Sequence, residues 1–297
     1  MRVGTVRVGQ TRMAAEERDG RWYALDVPPG TPLEAVLAGG LGTVRTAGLG
    51  TAGTGGLGAA GIGGLGAVGT TGALDGAVPV RPLRPGKIVA IGLNYLDHIR
   101  EAGMDKPERP LIFAKFPSSV IGPGEPIVID AGLTERVDWE VELAAVIGTP
   151  LRNASEDEAL AGVAGYTVAN DVSARDLQFA DGQWTRGKSL DTFCPLGPVI
   201  VTPDELGDPQ ALKLWTRVNG ETVQDSSTAE MLFGVAELLA FCSRAFTLEP
   251  GDVVLTGTPW GCGEFMNPRR SLRPGDTVEV GVEGIGTLVN PVTEGAR

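Results

Sequence analysis

Through most of the chain, apolar residues either alternate with polar ones or gather in short blocks between turn residues. That pattern predicts many short strands and few helices. Residues 1–8 alternate, and residues 21–25 form a second apolar-aromatic strand after the Asp19-Gly20 turn signal. Residues 87–93, 111–115 and 165–171 also read as strands, the last running into Asp171. Residues 214–218 and 221–224 flank Asn219-Gly220, a dipeptide that favours the tight hairpin turn. Residues 252–256, 277–282 and 286–289 are further strands, and Pro-Gly-Asp turns introduce the first two.

Helical periodicity is confined to four stretches. Residues 33–37 form a short one. Residues 94–103 carry Asn94 as cap and Gly103 as stop. Residues 155–161 open on Ser155 with Glu158 three later, a capping box. Residues 233–246 are amphipathic. Pro195 and Pro198 exclude a regular helix over 192–198.

Residues 138–148 stand apart. Asp138, Glu140 and Glu142 alternate with Trp139, Val141 and Leu143 before an apolar run that ends at Gly148 and Pro150. Side chains two apart on a strand point the same way, so the three acids share one face. Such a row repels itself unless a cation sits among the charges, and carboxylate oxygens are preferred ligands of hard divalent ions. A solvated edge strand with an acidic outer face would read the same. Asp171, at the end of its own strand, is placed to join acids on a neighbouring one. The single histidine, His98, lies three before Glu101 and so shares a helix side with it. A carboxylate beside an imidazole orients it and raises its basicity, a common way to build a general base. An exposed polar pair would show the same spacing.

Residues 39–76 differ from the rest. They hold 16 of the chain's 44 glycines and two charges, Arg45 and Asp75. Gly-Leu-Gly recurs every eighth residue, at 40–42, 48–50, 56–58 and 64–66. Glycine at this density costs much entropy to order and offers little side chain to bury, so the stretch reads as a flexible insertion or linker. It would separate a small β-rich N-terminal domain, 1–38, from a main domain, 77–297. The G-x-G-x-x-G matches at 53–58 and 61–66 follow from low complexity, since no apolar strand leads into them. Residues 182–189 fit G-x-x-x-x-G-K-S, but neither the strand before nor the helix after a phosphate loop is present.

The 297 residues carry a net charge of −12, which leaves no basic surplus for nucleic acid or an anionic membrane. No apolar run is long enough to span a bilayer. Cys194, Cys242 and Cys262 are far apart and fit neither a zinc spacing nor a disulfide framework. With no signal-peptide core at the N-terminus, a cytoplasmic location is the expectation.

Six motifs, in order, make the chain resemble the fumarylacetoacetate hydrolase superfamily over about residues 85–293. They are Gly92-Leu93-Asn94-Tyr95 with Asp97-His98; Asp138-Trp139-Glu140-Val141-Glu142-Leu143; and Asn170 to Gln178. Arg186-Gly187-Lys188-Ser189, Val218-Asn219-Gly220-Glu221 and Leu255-Thr256-Gly257-Thr258-Pro259 follow. The resemblance implies an α+β fold, a mixed β-sandwich roll with peripheral helices behind a small β-rich N-terminal domain. It implies a homodimer and a bound Mg²⁺, or Mn²⁺ or Ca²⁺, held by residues matching Glu140, Glu142 and Asp171. His98 with Glu101 matches the pair that activates water. Lys188 matches a substrate-contacting lysine, Gln178 a glutamine near the reacting oxygens, and Thr258 a residue lining the site. Asp97 matches a position that reaches the metal in some members. The glycine octads are not a family feature.

The substrate class so implied is a 1,3-dicarbonyl or acylpyruvate-type keto acid. Hydrolysis of a carbon–carbon bond is the first expectation. Decarboxylation of an oxaloacetate-type acid, or isomerisation of a 2-hydroxy-dienoate, would use the same metal without an attacking water. A non-catalytic scaffold would show a broken metal triad, and all three carboxylates are present.

Overall fold

The structure is a computed structural model that describes residues 1–28, 30–40 and 72–295. The glycine octads, the matches at 53–58 and 61–66, and most of the expected linker lie outside the described residues.

Two sheets dominate, as an α+β roll requires. The larger has eleven strands, and its main path runs Arg21–Ala24, Thr11–Arg18, Arg2–Val8, Cys194–Val201, Val163–Asn170, Val141–Ile147, Val253–Leu255, Ile88–Gly92 and Leu111–Lys115. It is mixed: Val253–Leu255 runs parallel to Ile88–Gly92, and most other pairs are antiparallel. The smaller sheet runs Glu221–Ser227, Lys213–Val218, Thr277–Val282, Gly286–Glu294 and Ile127–Ile129.

Val141–Ile147 lies at the centre of the large sheet, and all seven of its residues are buried. That overturns the solvated-edge alternative. Alternate residues serve two cores. Val141, Leu143, Ala145 and Ile147 join the core shared with the smaller sheet, through Leu214, Val278, Val280 and Leu288. Ala144 and Val146 point the other way, to Leu33, Leu37, Ile88 and Phe113. Glu140 and Glu142 have the same parity as Ala144 and Val146, so they sit where this second core opens toward a cavity.

The expected strand 138–148 is interrupted. Val137–Asp138 pairs with Ser173–Ala174 in a separate two-strand ladder. Between the ladders, side chains take the backbone donors: Glu140 N–H donates to Asn170 Oδ1 at 3.0 Å and Val141 N–H to Gln224 Oε1 at 3.1 Å. Two other strands were not apparent from pattern. Thr11–Arg18 buries three consecutive residues, Ala14, Ala15 and Glu16, and therefore lacks alternation. Cys194–Val201 contains Pro195, Gly197 and Pro198 at the place where its register with Val163–Asn170 shifts. Arg2–Val8 pairs with this strand, so the N-terminal strands continue the large sheet.

The hairpin, the Ser155 capping box and the Gly103 stop form as the sequence predicts. Asn219 and Gly220 both have positive φ, 54° and 82°, between paired strands. Ser155 and Glu158 form the reciprocal capping box of Glu156–Ala161. Gly103 closes Leu96–Ala102 in the left-handed conformation. Asn94 does not cap that helix. Its amide donates to the carbonyls of Thr256 and Phe233 at 2.8 and 3.0 Å, and its Oδ1 accepts from Phe233 N–H, tying the helix entry to two other segments. Among the described residues, no helix is long and apolar enough to cross a membrane.

Candidate active site

Register brings the carboxylates together. Val141 lies opposite Asn170 and Glu142 opposite Ala169, so Glu140 faces Asp171 across the ladder. The Asp171 N–H donates to the Glu140 carbonyl at 2.9 Å. Glu142 is two residues along on the same face. One oxygen from each of Glu140, Glu142 and Asp171 lies within 4.8 Å of the others, and all three side chains are buried.

Three protein cations are packed among these acids. Lys188 ends the short helix Thr185–Lys188, and its Nζ lies 2.6 Å from Glu140 Oε2 and 2.8 Å from Asp171 Oδ2. Gly187 lets that helix touch its neighbour, for a Cβ there would sit 2.6 Å from the Gln178 nitrogen. Lys115 Nζ reaches Asp171 Oδ1 at 2.6 Å and donates to the carbonyls of Val172 and Lys188. Arg175 Nη2 bridges Glu140 Oε1 at 2.7 Å and Asp138 Oδ2 at 2.8 Å. The row of acids thus has the cation that repulsion demanded, but at Asp138 and Glu140 the protein supplies it. Asp138 is committed to Arg175 and to the backbone N–H groups of Gly263 and Glu264, outside the triad.

Glu142 is different. Its Oε2 accepts from Gly257 N–H at 2.6 Å, and among the described residues it has no ion-pair partner. Burial, with the charges of Asp171 and Glu140, holds its carboxyl well above the usual carboxylate range. For Glu140, burial also opposes ionisation, but Lys188 and Arg175 outweigh it and the carboxyl falls below its ordinary value. A buried carboxylate with no direct ion-pair partner among the described residues, beside two others, is a donor set that fits a hard divalent cation.

The proposed proton-transfer pair comes from Leu96–Ala102. His98 Nδ1 lies 3.0 Å from Glu101 Oε2, and Glu101 Oε1 accepts from Gly261 N–H at 2.9 Å. Asp97 is turned elsewhere: its Oδ1 accepts from His98 N–H at 2.7 Å and its Oδ2 from Ser226 Oγ at 2.5 Å. Phe265 and the imidazole meet in a T-shaped contact with ring centroids 5.2 Å apart.

One cavity joins these groups. His98, Glu140, Glu142, Arg175, Gln178, Lys188 and Thr258 line it, with Ile91, Phe113, Phe179, Trp184 and Phe265 as apolar walls. Gln178 Oε1 accepts from Arg175 Nη1 at 3.0 Å. Thr258 Oγ1 accepts from Gln224 Nε2 at 3.0 Å, which leaves its own O–H to donate. A wider depression by Arg12, Arg81 and Arg84 lies apart and holds one acid, Glu34.

His98, Glu140, Glu142, Gln178, Lys188 and Thr258 therefore line one cavity, with Asp171 and Glu101 against its walls, while Asp138 and Asp97 are turned to other partners. Lys115, Arg175 and Gln224 were not assigned roles. A lysine closing an apolar strand was a signal for the first. The second lies within the Asn170–Gln178 motif. Gln224 gave no signal, since two of its partner segments, at Val141 and at 258–262, are distant in sequence.

Comparison with known proteins agrees with the geometry. Residues 87–293 match the family described as fumarylacetoacetate (FAA) hydrolase, C-terminal. A mitochondrial oxaloacetate tautomerase of Rattus norvegicus is 49% identical over 210 residues, 70% of this chain and 67% of the relative. A 2,4-didehydro-3-deoxy-L-rhamnonate hydrolase of a Sphingomonas strain is 49% identical over 219 residues, 73% of this chain and 76% of the relative. A fumarylacetoacetate hydrolase structure from Exiguobacterium antarcticum superposes with a TM-score of 0.80 at 37% identity, covering 99% of this chain and 100% of that one. A 2-hydroxyhepta-2,4-diene-1,7-dioate isomerase from Mycobacterium marinum gives 0.77 at 34%, covering both chains in full (100% each). The chain belongs to the fumarylacetoacetate hydrolase family.

Proposed function

We propose that the chain is a divalent-metal-dependent hydrolase that cleaves a carbon–carbon bond in a 1,3-dicarbonyl or acylpyruvate-type keto acid. The observation that carries this reading is the single cavity lined by both His98 and the buried carboxylates Glu140 and Glu142. Glu140, Glu142 and Asp171 would hold Mg²⁺ or Mn²⁺, with Ca²⁺ as a further candidate, since all suit carboxylate oxygens. When bound, the ion supplies Lewis-acid stabilisation of negative charge on the keto oxygens.

The remaining work falls to side chains. His98 takes a proton from water at the ring nitrogen turned away from Glu101, and Glu101 stabilises the resulting imidazolium. Gly261 N–H fixes the carboxylate that does so. Lys188 and the Gln178 amide, both on the cavity wall, stabilise oxygen atoms that gain negative charge, and Thr258 orients the substrate. The apolar walls limit water around the reacting carbons.

A second reading rests on the relatives named oxaloacetate tautomerase and on the isomerase structure. Tautomerisation, isomerisation or decarboxylation needs the same cation and a proton-transfer group, but no attacking water. Turnover of acylpyruvates and oxaloacetate, with Mg²⁺ and with EDTA, separates the two. Cleavage of acylpyruvates that EDTA and His98→Ala both abolish supports hydrolysis. Enol–keto exchange or CO₂ loss from oxaloacetate, with acylpyruvates untouched, replaces it with the second reading.

The same proposal includes a homodimer and a reducing, cytoplasmic compartment. Leu111 and Phe116, 42% and 56% exposed, sit at the open edge of the large sheet and would be covered by a second copy. All three cysteines are buried free thiols. Light scattering on the purified chain tests the first point, and imaging of the tagged protein tests the second.

A further inference from the structure

A second cluster of metal-ligating atoms adjoins the carboxylate triad. One ligand atom from each of His98, Glu101 and Cys262 lies within 4.8 Å of the others. His98 and Cys262 are buried, and Glu101 is partly so. The donors differ in kind from the triad: an imidazole nitrogen, one carboxylate oxygen and a sulfur. Hard Mg²⁺ prefers the all-oxygen set, whereas zinc and similar borderline ions take nitrogen and sulfur. Bond lengths of about 2.0–2.3 Å place the ligands of a tetrahedral zinc site about 3.6 Å apart. His98 Nδ1 and Glu101 Oε2 are already 3.0 Å apart, so the approach falls to Cys262, and rotation of its side chain can supply it.

The surroundings suit such a site. Gly261 N–H already orients Glu101 from the segment that carries Cys262, as outer partners orient ligands in metal centres. Phe265 packs against the imidazole in a T-shaped contact. Of the three, His98 also lines the cavity, so the cluster meets the active site through the imidazole. Cys262 Sγ has only distant polar neighbours, Pro259 O at 3.8 Å and Gln224 Nε2 at 3.9 Å, so the bond that an ion must replace is the one between His98 Nδ1 and Glu101 Oε2 at 3.0 Å.

We propose that His98, Glu101 and Cys262 form a second metal site for a borderline-soft divalent ion such as Zn²⁺, and that its occupancy switches off proton transfer by His98. Binding forms the sulfur–metal bond as the thiol proton leaves to solvent. The ion then engages His98 Nδ1 and Glu101, which leaves the ring proton on the other nitrogen, the one that would accept a proton from water. Occupancy is additive to Mg²⁺ at the triad rather than competitive with it. The binding is independent of the reaction proposed above; only its effect on rate rests on that reading.

Co²⁺ is the probe, added to the full chain in excess Mg²⁺. The expected result is one equivalent bound, with thiolate-to-cobalt charge-transfer absorption that Zn²⁺ abolishes. Cys262→Ser loses this absorption and weakens binding by at least about tenfold, while its Mg²⁺-dependent turnover persists and resists Zn²⁺. Absence of thiolate absorption in the wild type overturns the proposal. So does absorption that survives Cys262→Ser, or an ion that Mg²⁺ displaces stoichiometrically. If Cys262→Ser does not fold, Cys194→Ser and Cys242→Ser decide: the band persists in both if Cys262 is the ligand, and its loss in either overturns the assignment. If no keto acid is turned over, the cobalt spectrum still decides the site.

Discussion

Glu101 is anchored to Gly261: its Oε1 accepts the Gly261 N–H at 2.9 Å, which leaves Oε2 facing His98 Nδ1 at 3.0 Å. Gly261 can do this only as glycine. Its φ is +95°, and a Cβ would fall 2.0 Å from the Val223 carbonyl oxygen. The helix and the 259–263 segment are thus locked in the arrangement that orients the imidazole.

Glu101→Gln separates orientation from charge. The amide oxygen can still accept from Gly261, but a neutral group no longer stabilises an imidazolium. Turnover should fall by about 10²–10⁴-fold, the range that a positioned acid–base group contributes, with little change in melting temperature. Gly261→Ala should instead destabilise the fold, by on the order of 1–3 kcal/mol from backbone strain before the clash is counted. Denaturant melts and steady-state rates on both variants check this. A Glu101→Gln enzyme with wild-type turnover would remove His98 from the chemistry.

Glu142 gives a prediction about metal. It is the triad member with no ion-pair partner among the described residues, and burial and its acidic neighbours disfavour its charge. A divalent ion relieves that cost, so Mg²⁺ should raise the melting temperature of the wild type. At a hundred times the dissociation constant the gain is about 2.7 kcal/mol. Glu142→Gln should melt at or above the wild type in EDTA and gain little from Mg²⁺. An equal Mg²⁺ response in both proteins would place the ion elsewhere.

The contrast between Glu142 and Asp138 also shows how far the sequence could be read. Alternation put Asp138, Glu140 and Glu142 on one face, and the register confirms that parity. It could not show that Arg175, thirty-seven residues from Asp138, would neutralise one end of the row. Local signals worked wherever their cause was local: the Asn219-Gly220 turn, the Ser155 cap, the Gly103 stop. They failed where long-range contacts decide. Asn94 is a plausible cap by sequence, yet its amide is used by Thr256 and Phe233. Thr11–Arg18 and Cys194–Val201 become strands because neighbours in the sheet pair with them, against weak pattern or internal proline.

Asp138→Asn tests that division of labour. The variant keeps the shape but leaves the Arg175 guanidinium with one carboxylate, Glu140, in a buried site. Breaking a buried ion pair costs roughly 3–5 kcal/mol, and the remaining pair with Glu140 places this case at the lower end. Because Asp138 lies outside the triad, the shift in melting temperature that Mg²⁺ produces should be retained. Loss of that shift with little loss of stability would make Asp138 a metal ligand.

Asp176 sets a pH dependence away from the site. Burial opposes its charge, but Thr134 Oγ1 donates to it at 2.6 Å and the N–H groups of Glu135 and Leu177 at 3.0 Å each, and these outweigh burial. Its carboxyl is therefore held below the ordinary value of about 3.9. A carboxyl depressed by folding binds fewer protons in the native state than in the unfolded one over that window. Its stabilisation is complete above the unfolded value and is lost as pH falls through the lower folded value. Asp176→Asn does not titrate, so the variant should lie below the wild type in stability at neutral pH, and the gap should close below about pH 4. Urea midpoints measured from pH 7 down to the acid limit of folding decide it. A gap that stays constant with pH would mean that the loop 134–135 is held by shape and not by the charge of Asp176.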